Sequence, residues 1–373
     1  MPPGPAEGNG VADRVVVVGA SAGGLEALLT LMRGLPRDFA AATCVVLHTA
    51  PSSRGRLAAV LGRHAALPVT YAEDGAPLRP GHVYVAPADH HLLVEQGVLR
   101  LTRGPRENRQ RPSVDTLFRS AAYVYGPSVV GVVLSGALDD GTAGLWTIKD
   151  RGGLAIVQDP DDAVFASMPA SAREYVAVDH VAPVADIAPL LARLVQHTSP
   201  DEDGRPVSKE LEMLNAISKG DDALERGILE MGPTTPFTCP DCSGVLVRLK
   251  EGGVPTFRCH TGHAYSLDTL TAATTEHTEE MLWNALRAIE EVILLMRHTA
   301  EHADQRRDVA TATAARRHAE ESGQRAEMLR GVLRQHRALA QAVLDGAGDP
   351  GSGNERPGEP PRDSTNAPSP QAN

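Results

Sequence analysis

The segment VVVVGASAGGLEAL, residues 15–28, constrains this chain more than any other. Four consecutive valines leave no polar face, as in a strand covered on both sides. Glycines then bound a serine, and a leucine-bearing helical pattern starts at once. A buried strand that turns directly into a helix belongs to a parallel sheet with helical crossovers. Gly19, Ser21 and Gly23 also give the spacing G-x-S-x-G, which lifts a serine hydroxyl out at the carboxyl end of the strand. The free amides of the following helix face the same point. Taken alone, the segment fits the phosphate-binding turn of a dinucleotide site equally well.

A second strand, ATCVVLHTAPS at residues 42–52, bears on that choice. A dinucleotide site wants an acid at the end of this strand to hold the ribose hydroxyls; the chain has His48 there. A serine and a histidine at neighbouring strand ends suit a nucleophile and its general base. VVGVVLSGALDDGTAGL, residues 129–145, repeats the strand, glycine turn and helix, with Asp139 and Asp140 in the turn. An acid there can orient an imidazole, although acids before glycine are also common turn formers.

Further apolar runs at residues 82–87, 91–101 and 153–158 alternate with helical patterns at residues 113–126 and 141–152. The fold class expected is α/β: a doubly wound, mostly parallel sheet with helices on both faces, with antiparallel additions around Gly97. Residues 14–197 form this unit, and residues 1–13, rich in Pro and Gly, are expected to be disordered. Residues 198–236 read as a polar linker and a short helix. Residues 237–268 form a separate small module, residues 270–345 a helical hairpin with leucines at helical spacing, and residues 346–373 a disordered tail.

The small module carries three of the four cysteines. Cys239 and Cys242 form a CxxC knuckle, and Cys259 and His263 a second one. That spacing fits a tetrahedral structural zinc with every position filled by protein, a zinc-ribbon-like unit. His260 adjoins Cys259 and is poorly placed for the same ion. Such cysteine usage belongs to a reducing compartment, and residues 1–10 lack the charged and apolar regions of a secretion signal, so a cytoplasmic location is expected. The net charge of −11 argues against nucleic acid, and no apolar run reaches membrane-spanning length.

Residues 15–194 resemble the catalytic domain of CheB-type protein-glutamate methylesterases. GASAGG resembles the family's nucleophile turn, HTAPS its histidine loop and SGALDDG its acid loop. APADHHLLV, NRQRPSVDTLFRSAA and FASMPASA are similar to further family blocks, in the same order. The resemblance implies Ser21 as nucleophile, His48 as base and Asp140, which directly precedes Gly141, as the orienting acid. It also implies the backbone amides of Ala22 and Ala137 as oxyanion donors, no cofactor for the chemistry, and a methylated receptor-like protein as substrate. Arg109 and Arg111 are candidate clamps on that substrate, or simply charges flanking a helix start at Ser113. His90 and His91 are expected to pack, Cys44 to be an inert buried thiol, and His336 to have no cofactor role.

Two departures from the family stand out. Its best-known members carry a receiver domain ahead of the esterase, and this chain is expected to work without one. Leu138 also stands where the family commonly has glycine. The zinc module and hairpin are expected to recruit a signalling partner more than to restrain the site. The competing readings are a signalling scaffold with a degenerate esterase fold, or a related esterase or glutamine deamidase acting on another protein.

Overall fold

The computed structural model describes residues 12–53, 55–197, 205–251 and 253–346. The expected disordered ends and the polar part of the linker fall almost wholly outside these residues. The first unit runs β1 (Val15–Ala20), α1 (Gly24–Gly34), β2 (Ala42–Leu47), α2 (Leu57–Gly62), β3 (Val69–Tyr71), β4 (Val83–Val85), β5 (His91–Glu95) and β6 (Val98–Thr102). It continues with α3 (Val114–Tyr125), β7 (Val129–Val133), α4 (Thr142–Asp150), β8 (Leu154–Gln158), α5 (Ser167–Tyr175), β9 (His180–Ala182) and α6 (Val184–His197).

Seven strands form one sheet in the order β3-β4-β2-β1-β7-β8-β9, and every pairing in it is parallel. The valines of β1 explain its central position. Val15 and Val17 enter the core under α3, α4 and α5, while Val16 and Val18 enter the core under α1, α2 and α6. All four are fully buried, as alternation of side chains across a two-faced strand requires. The antiparallel addition is the β5–β6 hairpin, turned at Gly97 with φ +74°. Because β2, β1 and β7 are neighbours, the turns after them open at one edge. They diverge there in chain order, which is where a doubly wound sheet forms its crevice.

The second part begins with α7 (Lys209–Lys219), capped by the Ser208 hydroxyl, which accepts from Leu211 N–H. A four-stranded antiparallel sheet comes next: β10 (Thr234–Thr238), β11 (Val245–Glu251), β12 (Val254–Cys259) and β13 (Ala264–Ser266). The helices α8 (Leu267–Gln305) and α9 (Val309–Gly346) then pair, with Leu286, Ala326 and Leu333 buried between them. The start of α8 belongs to the small sheet instead, since Leu270 and Ala273 pack with Leu246, Phe257 and Tyr265.

This second part is fastened to the first through polar groups. Glu107, which precedes α3, is 3% exposed and sits between two buried guanidiniums, Arg119 of α3 at 2.5 Å and Arg258 of β12 at 2.9 Å. Ser218 of α7 donates to the same carboxylate at 3.1 Å. Burial alone would raise the Glu107 carboxyl, but Arg119 and Arg258 outweigh it and hold it well below the usual range. Removing the shared anion leaves two guanidiniums buried without it. Glu107→Ala should therefore lower the unfolding free energy of the full chain by about 3–5 kcal/mol, read from denaturant midpoints. A loss under ~1 kcal/mol, the range of an exposed ion pair, would contradict this placement.

Candidate active site and metal centre

Ser21 stands one residue beyond β1. Its N–H donates to Ser135 O at 3.0 Å, and its carbonyl accepts from Gly24 N–H at 2.9 Å. Gly23 adopts φ +68°, and a Cβ there would lie 2.8 Å from both Ser135 Oγ and Val164 Cβ, so the turn excludes a side chain. Ser135 Oγ donates to Ala22 O at 2.9 Å and accepts from Phe165 N–H at 2.9 Å, tying the serine turn to the loop before α5. Gly136 is held as tightly: a Cβ would meet Met168 Sδ at 2.0 Å.

His48 stands directly after β2, with its N–H on Ala20 O at 3.1 Å. Its Nδ1 lies 3.0 Å from Ser21 Oγ, and its Nε2 lies 2.8 Å from Asp140 Oδ2. Asp140 is ionised in this setting, so Nε2 carries the proton donated to it and Nδ1 is free to accept the serine proton. Serine, histidine and acid, far apart in sequence, meet as one line of hydrogen bonds.

Asp140 is 3% exposed and accepts five hydrogen bonds. Besides His48, its donors are Asn108 Nδ2 at 3.0 Å, Ser113 Oγ at 2.9 Å, and the N–H groups of Val114 at 2.7 Å and Asp115 at 3.1 Å. The acid therefore seats on the amino end of α3, where free amides and the helix dipole favour an anion. Asp115 returns the arrangement: its Oδ1 accepts from Gly141 N–H at 3.0 Å and Gly144 N–H at 2.6 Å, at the amino end of α4. Burial would raise the Asp140 carboxyl; the hydrogen bonds from His48, Asn108 and the Val114 amide prevail, and it is lowered. Sequence alone does not single out Asn108, Ser113 and Asp115 as partners of the acid. Their signal is the block NRQRPSVD, which brings an amide, a helix cap and a carboxylate together on one short segment.

The structure also places the other expected residues. The N–H groups of Ala22 and Ala137 meet no backbone carbonyl among the described residues. Arg111 is drawn inward, donating to Asp89 at 2.7 Å and 3.0 Å and to the Gly104 carbonyl at 3.0 Å. Arg109 is paired with Glu276 of α8. A substrate carboxylate would have to displace an internal partner at either arginine. His91 is fully buried, between Pro105 O at 2.9 Å and Ser113 N–H at 3.3 Å. Burial pushes the Cys44 thiol up to about 12. His336 meets only the Thr275 carbonyl among the described residues, at 3.0 Å.

In the small sheet, one ligand atom from each of Cys239, Cys242, Cys259 and His263 lies within 4.8 Å of the others, a possible metal site. Cys242 Sγ to Cys259 Sγ is 3.6 Å, and His263 Nδ1 lies 3.7 Å from Cys239 Sγ and 3.6 Å from Cys259 Sγ. These are the edge lengths of a tetrahedron whose centre stands about 2.1–2.3 Å from each ligand. Gly262, at φ +93°, turns the second knuckle.

The CheB methylesterase family profile matches residues 16–191. A putative protein-glutamate methylesterase/protein-glutamine glutaminase of Leptospira interrogans is 41% identical over 183 residues, which is 49% of this chain and 95% of that protein. A protein-glutamate methylesterase/protein-glutamine glutaminase of Anaeromyxobacter dehalogenans is 44% identical over 182 residues, with 53% of its length covered. The solved catalytic domain of Thermotoga maritima CheB methylesterase is 36% identical, with a TM-score of 0.47, covering 49% of this chain and 98% of that domain.

Asp139, beside the acid, offers a pH test of the site. It is 7% exposed and accepts from Ser266 Oγ at 2.7 Å. Burial raises its carboxyl from 3.8 to about 7, against the Ser266 hydrogen bond and with help from Asp268 and Asp140. The folded chain thus binds a proton that the unfolded chain has released above pH ~4. This stability is present below pH ~4 and is lost as pH rises through about 7. Asp139→Asn keeps the acceptor without the charge. It should be about 1–3 kcal/mol more stable than wild type at pH ~8 and nearly equal to it at pH ~4. Denaturation at the two pH values checks this, and equal differences at both would refute it.

Proposed function

The chain belongs to the CheB methylesterase family, and from that premise we propose that it is a carboxylic ester hydrolase removing methyl groups from glutamate side chains of chemotaxis-type receptor proteins. The observation that carries this reading is the relay from Ser21 through His48 to Asp140, at 3.0 Å and 2.8 Å. His48 Nδ1 takes the Ser21 proton as Oγ attacks the ester carbonyl carbon. The electron pair displaced onto the carbonyl oxygen is held by the Ala22 and Ala137 amides, each worth about a hundred- to a thousandfold in rate in sites of this type. Collapse of the tetrahedral adduct expels the methoxy group, which leaves as methanol with the proton from His48. Water then adds to the acyl-serine by the same route, freeing the glutamate carboxylate and restoring the Ser21 hydroxyl. Asp140 stays ionised throughout and stabilises the imidazolium.

The relatives' names couple this activity to protein-glutamine glutaminase. Deamidation of a receptor glutamine passes through the same acyl-serine and releases ammonia, so it is the second reading. A scaffold that had lost catalysis would have no need of all three relay residues. Cys239, Cys242, Cys259 and His263 are assigned one structural zinc, with no open position for substrate. The cytoplasm, where thiols stay reduced, suits that site, and among the described residues no helix is long and apolar enough to cross a membrane. The α8–α9 hairpin, which exposes Met281, Trp283, Leu294, Leu295 and Met328, is assigned to a signalling partner.

Ser21→Ala should abolish methanol release from a methylated receptor, measured by headspace methanol from labelled methyl groups, with the thermal unfolding midpoint unchanged. Retained activity would remove Ser21 as nucleophile. Elemental analysis should find about one zinc per chain in wild type and in Ser21→Ala, and little in Cys239→Ser. A well-folded wild type without metal would end the zinc assignment.

A further inference from the structure

Asn108 is bonded from two sides. Its Nδ2 donates to Asp140 Oδ1 at 3.0 Å and to Asp115 Oδ2 at 2.7 Å. Its Oδ1 accepts from Ser266 N–H at 3.0 Å and from Thr269 Oγ1 at 3.1 Å. The side-chain amide has two donor and two acceptor places, and all four are filled. The nitrogen end serves the acid, while both acceptor places are filled by the start of α8. The Asn108 N–H also donates to Ala264 O at 2.8 Å, and Ala264 N–H donates back to Arg106 O at 3.2 Å. Asn108 is 7% exposed and takes φ +49°, a left-handed setting in which asparagine is among the few favoured side chains.

The metal knuckle fixes the far end of this connection. Arg258, which binds Glu107, directly precedes Cys259, and Ala264 directly follows His263. Ser266 and Thr269 come soon after in the chain. The ordered line is therefore Ser21, His48, Asp140, Asn108, then the first turn of α8. In the Leptospira relative, 95% of the protein aligns within 183 residues of this chain, which leaves no room there for a counterpart of the second module.

We propose that Ser266 and Thr269 are positioning residues for ester hydrolysis, holding Asn108 so that it fixes Asp140 against His48, and that the cysteine–histidine module is thereby a working part of the active site. The proposal rests on the esterase reading. These groups lie at the end of the relay remote from Ser21, so their loss acts on the chemical step and leaves substrate binding alone. A less firmly held Asp140 supports the His48 imidazolium less well, which lowers the pH at which the base loses its function.

The test uses the full chain and a soluble methyl ester. Thr269→Val should lower kcat about five- to tenfold with KM within about twofold, and Thr269→Ser should restore it. The acid limb of the kcat/KM profile should move to lower pH in Thr269→Val and return in Thr269→Ser, which a contact serving stability alone would not do. Chelating the zinc should cost wild type a similar factor, recovered on adding zinc back. In Asn108→Ala, already slower, chelation should cost less than about twofold, because the connection is cut. If Thr269→Val fails to fold, Thr269→Ala is read in its place against the same criteria, because Ser266 reaches Asn108 through its backbone N–H, which a side-chain substitution leaves in place. Wild-type kcat in both variants overturns the proposal, as does a chelation loss that multiplies in full with the Asn108→Ala loss. An inactive wild type overturns the esterase reading along with it, whereas an active wild type with unaffected variants overturns the positioning role alone.

Discussion

A carboxylate closed off from water must be met by donors or surrender its charge, and Asp140 is met by five of them. Its donors come from the β2 turn, the loop before α3, and the cap and first amides of α3 itself. Each is fixed to the others because each is fixed to this anion. Asp115 makes the arrangement reciprocal by capping α4 with the opposite pairing of helix and acid. A helix packed on a sheet can slide or tilt by small amounts at little cost. Two helix ends each holding a carboxylate from the neighbouring segment cannot. The contacts that make the acid loop foldable are thus the ones that aim its carboxylate at His48.

The seam between the two parts obeys the same logic. It holds a buried carboxylate between two guanidiniums, a hydroxyl on Asp139, and an asparagine filled on all sides. An apolar seam would tolerate slip, since hydrophobic attraction has no direction. A polar seam in a dry setting permits one register, because any other leaves charges unpaired. The appendage is accordingly placed to within hydrogen-bond tolerance of the relay, although it contributes no group to the relay itself.

The sheet is legible where residue chemistry alone decides structure. β1, β2 and β7 are uninterrupted runs of mostly apolar residues, and their order in the sheet puts Ser21, His48 and the Asp139–Asp140 turn at one edge. The short strands β3 and β9, three residues each, carry too little pattern to be read. The cysteine–histidine knuckles are legible because the spacing of their side chains is local. Their docking is not, since Glu107 and Arg258 stand 151 positions apart and no local spacing links them. The polar stretch after His197 reads as a linker that allows either docking or free motion, and Ser266 of the module beyond it is bonded to Asp139 in the acid's own loop. Arg109 and Arg111 read either as substrate clamps or as charges flanking a helix start, and their present partners, Glu276 and Asp89, come from segments that local sequence does not connect to them.

Leu138 brings the relay, the seam and the acid loop together. It lies at φ +61°, a left-handed setting that costs a side chain such as leucine about 1–2 kcal/mol. Such strain persists only where both flanks are held. On one side Gly136 donates to Phe165 O and accepts from Met168 N–H, both at 3.0 Å. On the other, Asp139 is held by Ser266 and Asp140 by its five donors. In this chain the second module holds that flank, so a leucine can occupy the turn without releasing the acid beside it.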